Sequence, residues 1–112
     1  AETLAEMINL VKSLGIDIVD VSTGGVVLCE MDVYPGYQVK HAEIIKENTG
    51  LPVIAGGLLT SPLMVEEILK NERAELVFLG RELLRDPNWV YRAARELHSI
   101  VEWPIQYERA YK

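Results

Sequence analysis

The sequence is poor in cysteine, histidine and positive charge, and each shortage excludes something. Cys29 is the one cysteine in 112 residues, so no internal disulfide can form. A reducing, cytoplasmic setting is the simple reading, with Cys29 a small hydrophobe in a loop. Eleven Lys and Arg against seventeen Asp and Glu leave a net charge of −6, which argues against nucleic acid as a partner, since that needs a basic face. No apolar run approaches the roughly 20 residues that span a bilayer, and nothing resembles a signal peptide, so no membrane role is expected. The glycine patterns Gly-x-Gly-x-x-Gly and Gly-x-x-x-x-Gly-Lys are missing, which speaks against a dinucleotide fold and a P-loop. What remains is ordinary for a globular chain: 49% hydrophobic, 25% charged, and long enough for one domain.

The most informative stretch is Leu76-Val77-Phe78-Leu79-Gly80-Arg81-Glu82-Leu83-Leu84-Arg85-Asp86-Pro87. Four consecutive apolar residues predict a strand buried on both faces, as in parallel sheets. It stops at Gly80, with Arg81 at its carboxyl end. A turn of helix follows, and Asp86-Pro87 predicts a capped start for a longer helix reaching about Ser99. Gly-Arg beside a short helix suits an anion, above all a phosphate. The plainer alternative is a tight turn with Arg81 ion-paired on the rim.

The rest of the chain repeats one theme. Thr3-Leu4-Ala5-Glu6 fits a capping box, and Leu4, Met7, Ile8, Val11 and Leu14 then recur at helical spacing up to Gly15. Ile16 to Val21 reads as a strand ending in Ser22-Thr23-Gly24-Gly25. Residues 26–37 form a long loop of the kind that often serves binding. Gln38 to Asn48 reads as a helix closed by Gly50, with Val39, Ala42 and Ile45, and next to them Ile44, inward. Pro52 to Ala55 reads as a strand ending in Gly56-Gly57, and Ser61-Pro62 opens a helix that carries Val65, Ile68 and Leu69. Ile100 to Lys112 reads as an irregular tail.

Consecutive βα units imply a parallel sheet with right-handed crossovers. All carboxyl ends of such strands share one side, so the three glycine turns line one edge, where ligands of these folds bind. A TIM barrel further places a phosphate between the loops after its last two strands and a short extra helix, which Gly56, Gly57, Gly80 and Arg81 match. The expected fold class is therefore α/β, the last three βα units of a TIM (β/α)8 barrel: parallel strands in an incomplete barrel. Residues 1–99 would supply these units and 100–112 a C-terminal tail. Three strands leave two unpaired edges, so the chain should be the C-terminal portion of something about three times its length, or else self-associate.

Several motifs carry a family resemblance. Asp20-Val21-Ser22-Thr23-Gly24-Gly25, Tyr34-Pro35-Gly36-Tyr37-Gln38-Val39, Gly56-Gly57-Leu58-Leu59-Thr60-Ser61-Pro62, Phe78 to Pro87 and Gln106-Tyr107-Glu108-Arg109 resemble the Old Yellow Enzyme family, closest to its bacterial NADPH dehydrogenase branch. The resemblance implies a flavoprotein oxidoreductase that binds FMN, takes hydride from NADPH or NADH and reduces activated alkenes. It implies FMN phosphate contacts at Gly56, Gly57, Gly80 and Arg81, with Ser22, Thr23 and Gly24 lining the same side. It also implies a homo-oligomer in which Arg109 crosses to complete a neighbour's active site; without the family, Arg109 is a tail charge. The family's histidine pair, tyrosine proton donor and flavin-tuning cysteine lie on earlier strands, so no catalytic residue is assigned within this chain, which alone should be inactive, and no metal is expected. His41, His98 and Cys29 match no motif. Two rivals stand beside this reading: a sugar-phosphate barrel enzyme without flavin, and a non-catalytic, self-associating fragment.

Overall fold

The computed structural model describes residues 1–24 and 26–111; Gly25, expected beside Gly24 at a strand end, and Lys112, the last residue of the tail, lie outside that set. Among the described residues the order is α1 (Glu2–Val11), β1 (Val19–Asp20), α2 (Val39–Thr49), β2 (Val53–Ala55), α3 (Pro62–Lys70), β3 (Leu76–Val77), α4 (Arg81–Arg85), α5 (Trp89–Glu96) and α6 (Glu108–Tyr111). The sheet runs β1-β2-β3 with both pairs parallel. Sequential order without reversal is the winding of a barrel; a doubly wound sheet reverses at a switch point. The chain thus forms three βα units of an open, incomplete barrel, as the sequence predicts.

β2 is the middle strand, and Val53 and Ala55 are fully buried. Val39, Ala42 and Ile45 of α2 pack on the sheet with Val65 and Ile68 of α3, the inward positions read from the periodicity. Gly15 and Gly50 end their helical segments in left-handed conformations, as C-terminal stops do. Ser61 caps α3 by accepting from the Met64 N–H, with Pro62 at the first turn.

Five local expectations are corrected. The proposed capping box at Thr3 does not form, because α1 already begins at Glu2 and the Ala5 N–H donates to the Ala1 carbonyl. The first strand is confined to Val19–Asp20 rather than Ile16 to Val21, because its ladder is limited to what the short β2 can pair. α5 begins at Trp89 rather than Pro87: Asp86 Oδ1 accepts from the Asn88 N–H and closes a turn over the proline. It ends at Glu96 because His98 turns left-handed at φ +52° and the Ser99 N–H bonds back to the Ala94 carbonyl. The tail is not wholly irregular, since it closes in α6, and Trp103 stacks on Tyr91 of α5 at 4.2 Å.

The fifth correction concerns burial. The strand expected to be covered on both faces is a sheet edge, and Leu76 is 53% exposed. At the other edge Leu10 and Leu14 stand more than four-fifths exposed, with Leu4, Met7 and Val11 also uncovered. Of the expected inward set on α1 only Ile8 is buried, together with Ala5. In both places the apolar face lies where, among the described residues, no further βα unit packs. The radius of gyration of 16.6 Å, against about 13 Å for a compact domain of this size, reflects the same openness. Among the described residues no helix is long and apolar enough to cross a membrane.

Candidate functional site

A cavity of about 200 Å³ opens at the carboxyl edge of the sheet. Ser22 reaches it from the end of β1, Gly57 and Leu58 from the turn after β2, and Phe78, Gly80 and Arg81 from β3 and the start of α4. Parallel pairing puts these three turns side by side although they are far apart in sequence.

Each glycine has a different reason to be there. A Cβ on Gly56 would collide with the Phe78 ring, so Gly56 allows β2 and β3 to pack behind the cavity and does not itself line it. Gly57 has φ +98°, and a Cβ there would meet the Tyr37 ring at 2.7 Å. The turn continues through Leu58 at φ +51°, a conformation that disfavours a leucine and is held by its surroundings. Gly80 differs: nothing lies within 4 Å of where its Cβ would be. Open space beside Gly80 leaves its backbone accessible to a ligand.

The charges are equally uneven. Glu82 binds Arg85 at 2.9 Å and Arg92 at 3.4 Å, and Arg92 also pairs with Asp86 and Glu96. Arg81 is exposed and, among the described residues, its guanidinium makes no ion pair or hydrogen bond. The rim ion pair offered as the plainer alternative is therefore formed by Arg85 and not by Arg81. A guanidinium without a carboxylate, beside an open glycine, is suited to bind a phosphate through charge-assisted forked hydrogen bonds.

Of the residues singled out in the sequence, the structure brings Ser22, Gly57, Gly80 and Arg81 together. Thr23 lines a neighbouring depression with Asp32, Tyr34, Tyr37 and His41. Gly24 faces the Met31 side chain at φ +121°. Arg109 is exposed on α6, away from the cavity. Reading the sequence missed Tyr37 and Gln38, which also line the cavity. The sequence pattern puts Gln38 at the start of a helix; in the structure it precedes α2, makes no capping bond with its side chain, and is 5% exposed. Its Nε2 donates to the Tyr37 hydroxyl at 2.8 Å, while its buried Oε1 has no partner among the described residues. The available signal was a long polar side chain directly before an inward-facing Val39. Among the described residues no cluster of three or more His, Cys, Asp or Glu gathers as a metal site would require.

Comparison with known proteins bears on this site. The NADH:flavin oxidoreductase / NADH oxidase family profile matches residues 1–99. An NADPH dehydrogenase of Geobacillus thermodenitrificans is 54% identical over 105 residues, which are 94% of this chain and 31% of that protein. Similar matches are NADPH dehydrogenases of Clostridium acetobutylicum, 52% identical over 96% of this chain and 32% of theirs, and of Bacillus subtilis, 46% identical over 89% and 30%. The chain thus spans about a third of the length of these relatives.

Proposed function

The chain belongs to the NADH:flavin oxidoreductase / NADH oxidase family, and from that premise we propose that it is the C-terminal, FMN-holding part of a bacterial NADPH dehydrogenase of the Old Yellow Enzyme type. Residues 1–99 supply the closing βα units of its barrel and 100–112 its tail. The observation that carries this reading is the unpaired Arg81 guanidinium beside the open backbone of Gly80, in a cavity lined also by Gly57 and Ser22.

In this reading Arg81 grips the phosphate through two parallel N–H donors, and the Gly57 and Gly80 backbone adds neutral donors. Gly56 keeps the strands behind them close, while Ser22 lines the same wall; Thr23 and Gly24 shape its margin. Bound FMN would supply the hydride chemistry, with NADPH or NADH as the donor and an activated alkene as the acceptor. The residues that would anchor and protonate the alkene lie outside this chain, which by itself turns nothing over. The uncovered faces of α1 and β3 take the missing part of the barrel as their partner, and Arg109, exposed on α6, is suited to reach a neighbouring subunit in a homo-oligomer.

Titration of the full-length protein with FMN and riboflavin, followed by flavin fluorescence, tests the reading. FMN should bind tighter than riboflavin, and Arg81→Ala should weaken FMN by about ten- to a hundredfold, the range for losing a charge-assisted hydrogen bond. Unchanged FMN affinity in that variant refutes the assignment. Binding of phosphorylated sugars without flavin would favour the sugar-phosphate reading.

A further inference from the structure

We propose that Gln38 selects a ligand whose phosphate is joined to a hydroxylated chain, by accepting a hydrogen bond from one hydroxyl, and that Tyr37 positions it for this. The inference rests on the phosphate reading above and adds to it a residue pair that determines specificity.

Gln38 shares its cavity with Gly57, Gly80 and Arg81, yet its chemistry is opposite to theirs. One end of the amide is tied, Nε2 donating to the Tyr37 hydroxyl at 2.8 Å. The other end, Oε1, is buried and has no partner among the described residues. Buried polar atoms are rarely left unpaired, because such an atom loses water without gaining a replacement. Gln38 lines the cavity, and an unpaired acceptor on a lining residue calls for a donor from the ligand. A phosphate oxygen is an anion and cannot provide it. A hydroxyl farther along the ligand chain can, and since a hydroxyl both donates and accepts, it satisfies either orientation of the amide. A polyol phosphate, such as the ribityl phosphate of FMN, has both groups; an alkyl phosphate has only the first.

Tyr37 is placed to hold this arrangement. Its ring occupies the space left open by Gly57 and makes an edge contact with Tyr34, centroids 6.3 Å apart. The adjacent Gly36 N–H donates to the Gly57 carbonyl at 2.7 Å. The phenol is therefore braced by the glycine turn that forms the cavity wall, and it holds the near end of the Gln38 amide against that wall.

The test compares FMN with an analogue whose five-carbon chain bears the phosphate and no hydroxyls, on the full-length protein stripped of flavin. The wild type should prefer FMN by about tenfold or more. Gln38→Met, similar in length and apolar, should weaken FMN about tenfold and leave the analogue unchanged; Tyr37→Phe should lower the preference severalfold. Equal loss for both ligands in Gln38→Met, or no wild-type preference, overturns the proposal, and the wild-type comparison decides even if a variant does not fold. Arg81→Ala reports separately on the phosphate: it should weaken both ligands alike and spare riboflavin. If it spares FMN too, the phosphate reading falls while the hydroxyl preference is still read. Binding of neither ligand by the wild type overturns both.

Discussion

Replacing Gly57 by alanine should destabilise the protein by about 2–6 kcal/mol, in two parts that can be separated. The first is backbone strain. At φ +98° an L side chain is disfavoured, costing on the order of 1–3 kcal/mol. The second is collision: the added methyl would sit 2.7 and 2.9 Å from two Tyr37 ring carbons and 3.3 Å from Gln38 Cγ. The ring is not free to swing away, since its hydroxyl accepts from Gln38 and the neighbouring Gly36 is tied to Gly57. Forcing a group into such a space costs roughly 1–3 kcal/mol. Urea unfolding of Gly57→Ala, Tyr37→Ala and the double variant separates the parts. Removing the ring removes the collision and leaves the strain, so the double variant should be about 1–3 kcal/mol more stable than the two single losses combined predict. Additivity within about 0.5 kcal/mol would refute the claim that Tyr37 and Gly57 are mutually fitted.

Ile45→Ala, at a side chain that is 1% exposed, should cost about 2–5 kcal/mol in urea unfolding; a loss under 1 would place the core elsewhere. Trp89→Phe removes the indole N–H donated to the Thr60 carbonyl at 2.8 Å and should cost about 1–3 kcal/mol by leaving that carbonyl unpaired, measured in the same way. Leu10→Ala should change the stability of the 112-residue chain by no more than about 0.5 kcal/mol but cost several times that in the longer protein, where the proposed partner units cover it; equal effects in both would count against that cover. Glu75 gives a pH signature at the opposite edge of the sheet. Partial burial opposes its charge, but Lys46 at 2.6 Å and the Val53 N–H at 2.8 Å outweigh this and hold its carboxyl below the usual value of 4.5. A depressed folded value stabilises above the unfolded one and is lost as pH falls through the folded value. The stability gap between wild type and Glu75→Gln should therefore be largest near neutrality and close below about pH 4.5; a gap that is constant with pH would exclude the mechanism.

Much of this molecule is written locally. Short continuous apolar runs and helical repeats locate the three strands and the helices behind them, because the apolar pattern is a property of each segment alone. Ser61-Pro62, Gly15 and Gly50 marked helix ends for the same reason: capping and left-handed backbone depend on the residue and its immediate neighbours. The glycines after each strand pointed to one edge, since parallel pairing leaves no other arrangement. Neighbouring segments decided the rest. Thr3 could not cap a helix that had already begun, and Pro87 did not open α5 because Asp86 held a turn over it. Leu76 and the α1 leucines read as core residues from their pattern; they are exposed because no other described segment packs on them. Arg81 and Arg85 are alike in sequence, and only the position of Glu82 determines which of them is left without a carboxylate. Gln38 was invisible as a site residue because its meaning lies in contacts between segments: the Tyr37 hydroxyl holds one end of its amide, and burial leaves the other without a partner.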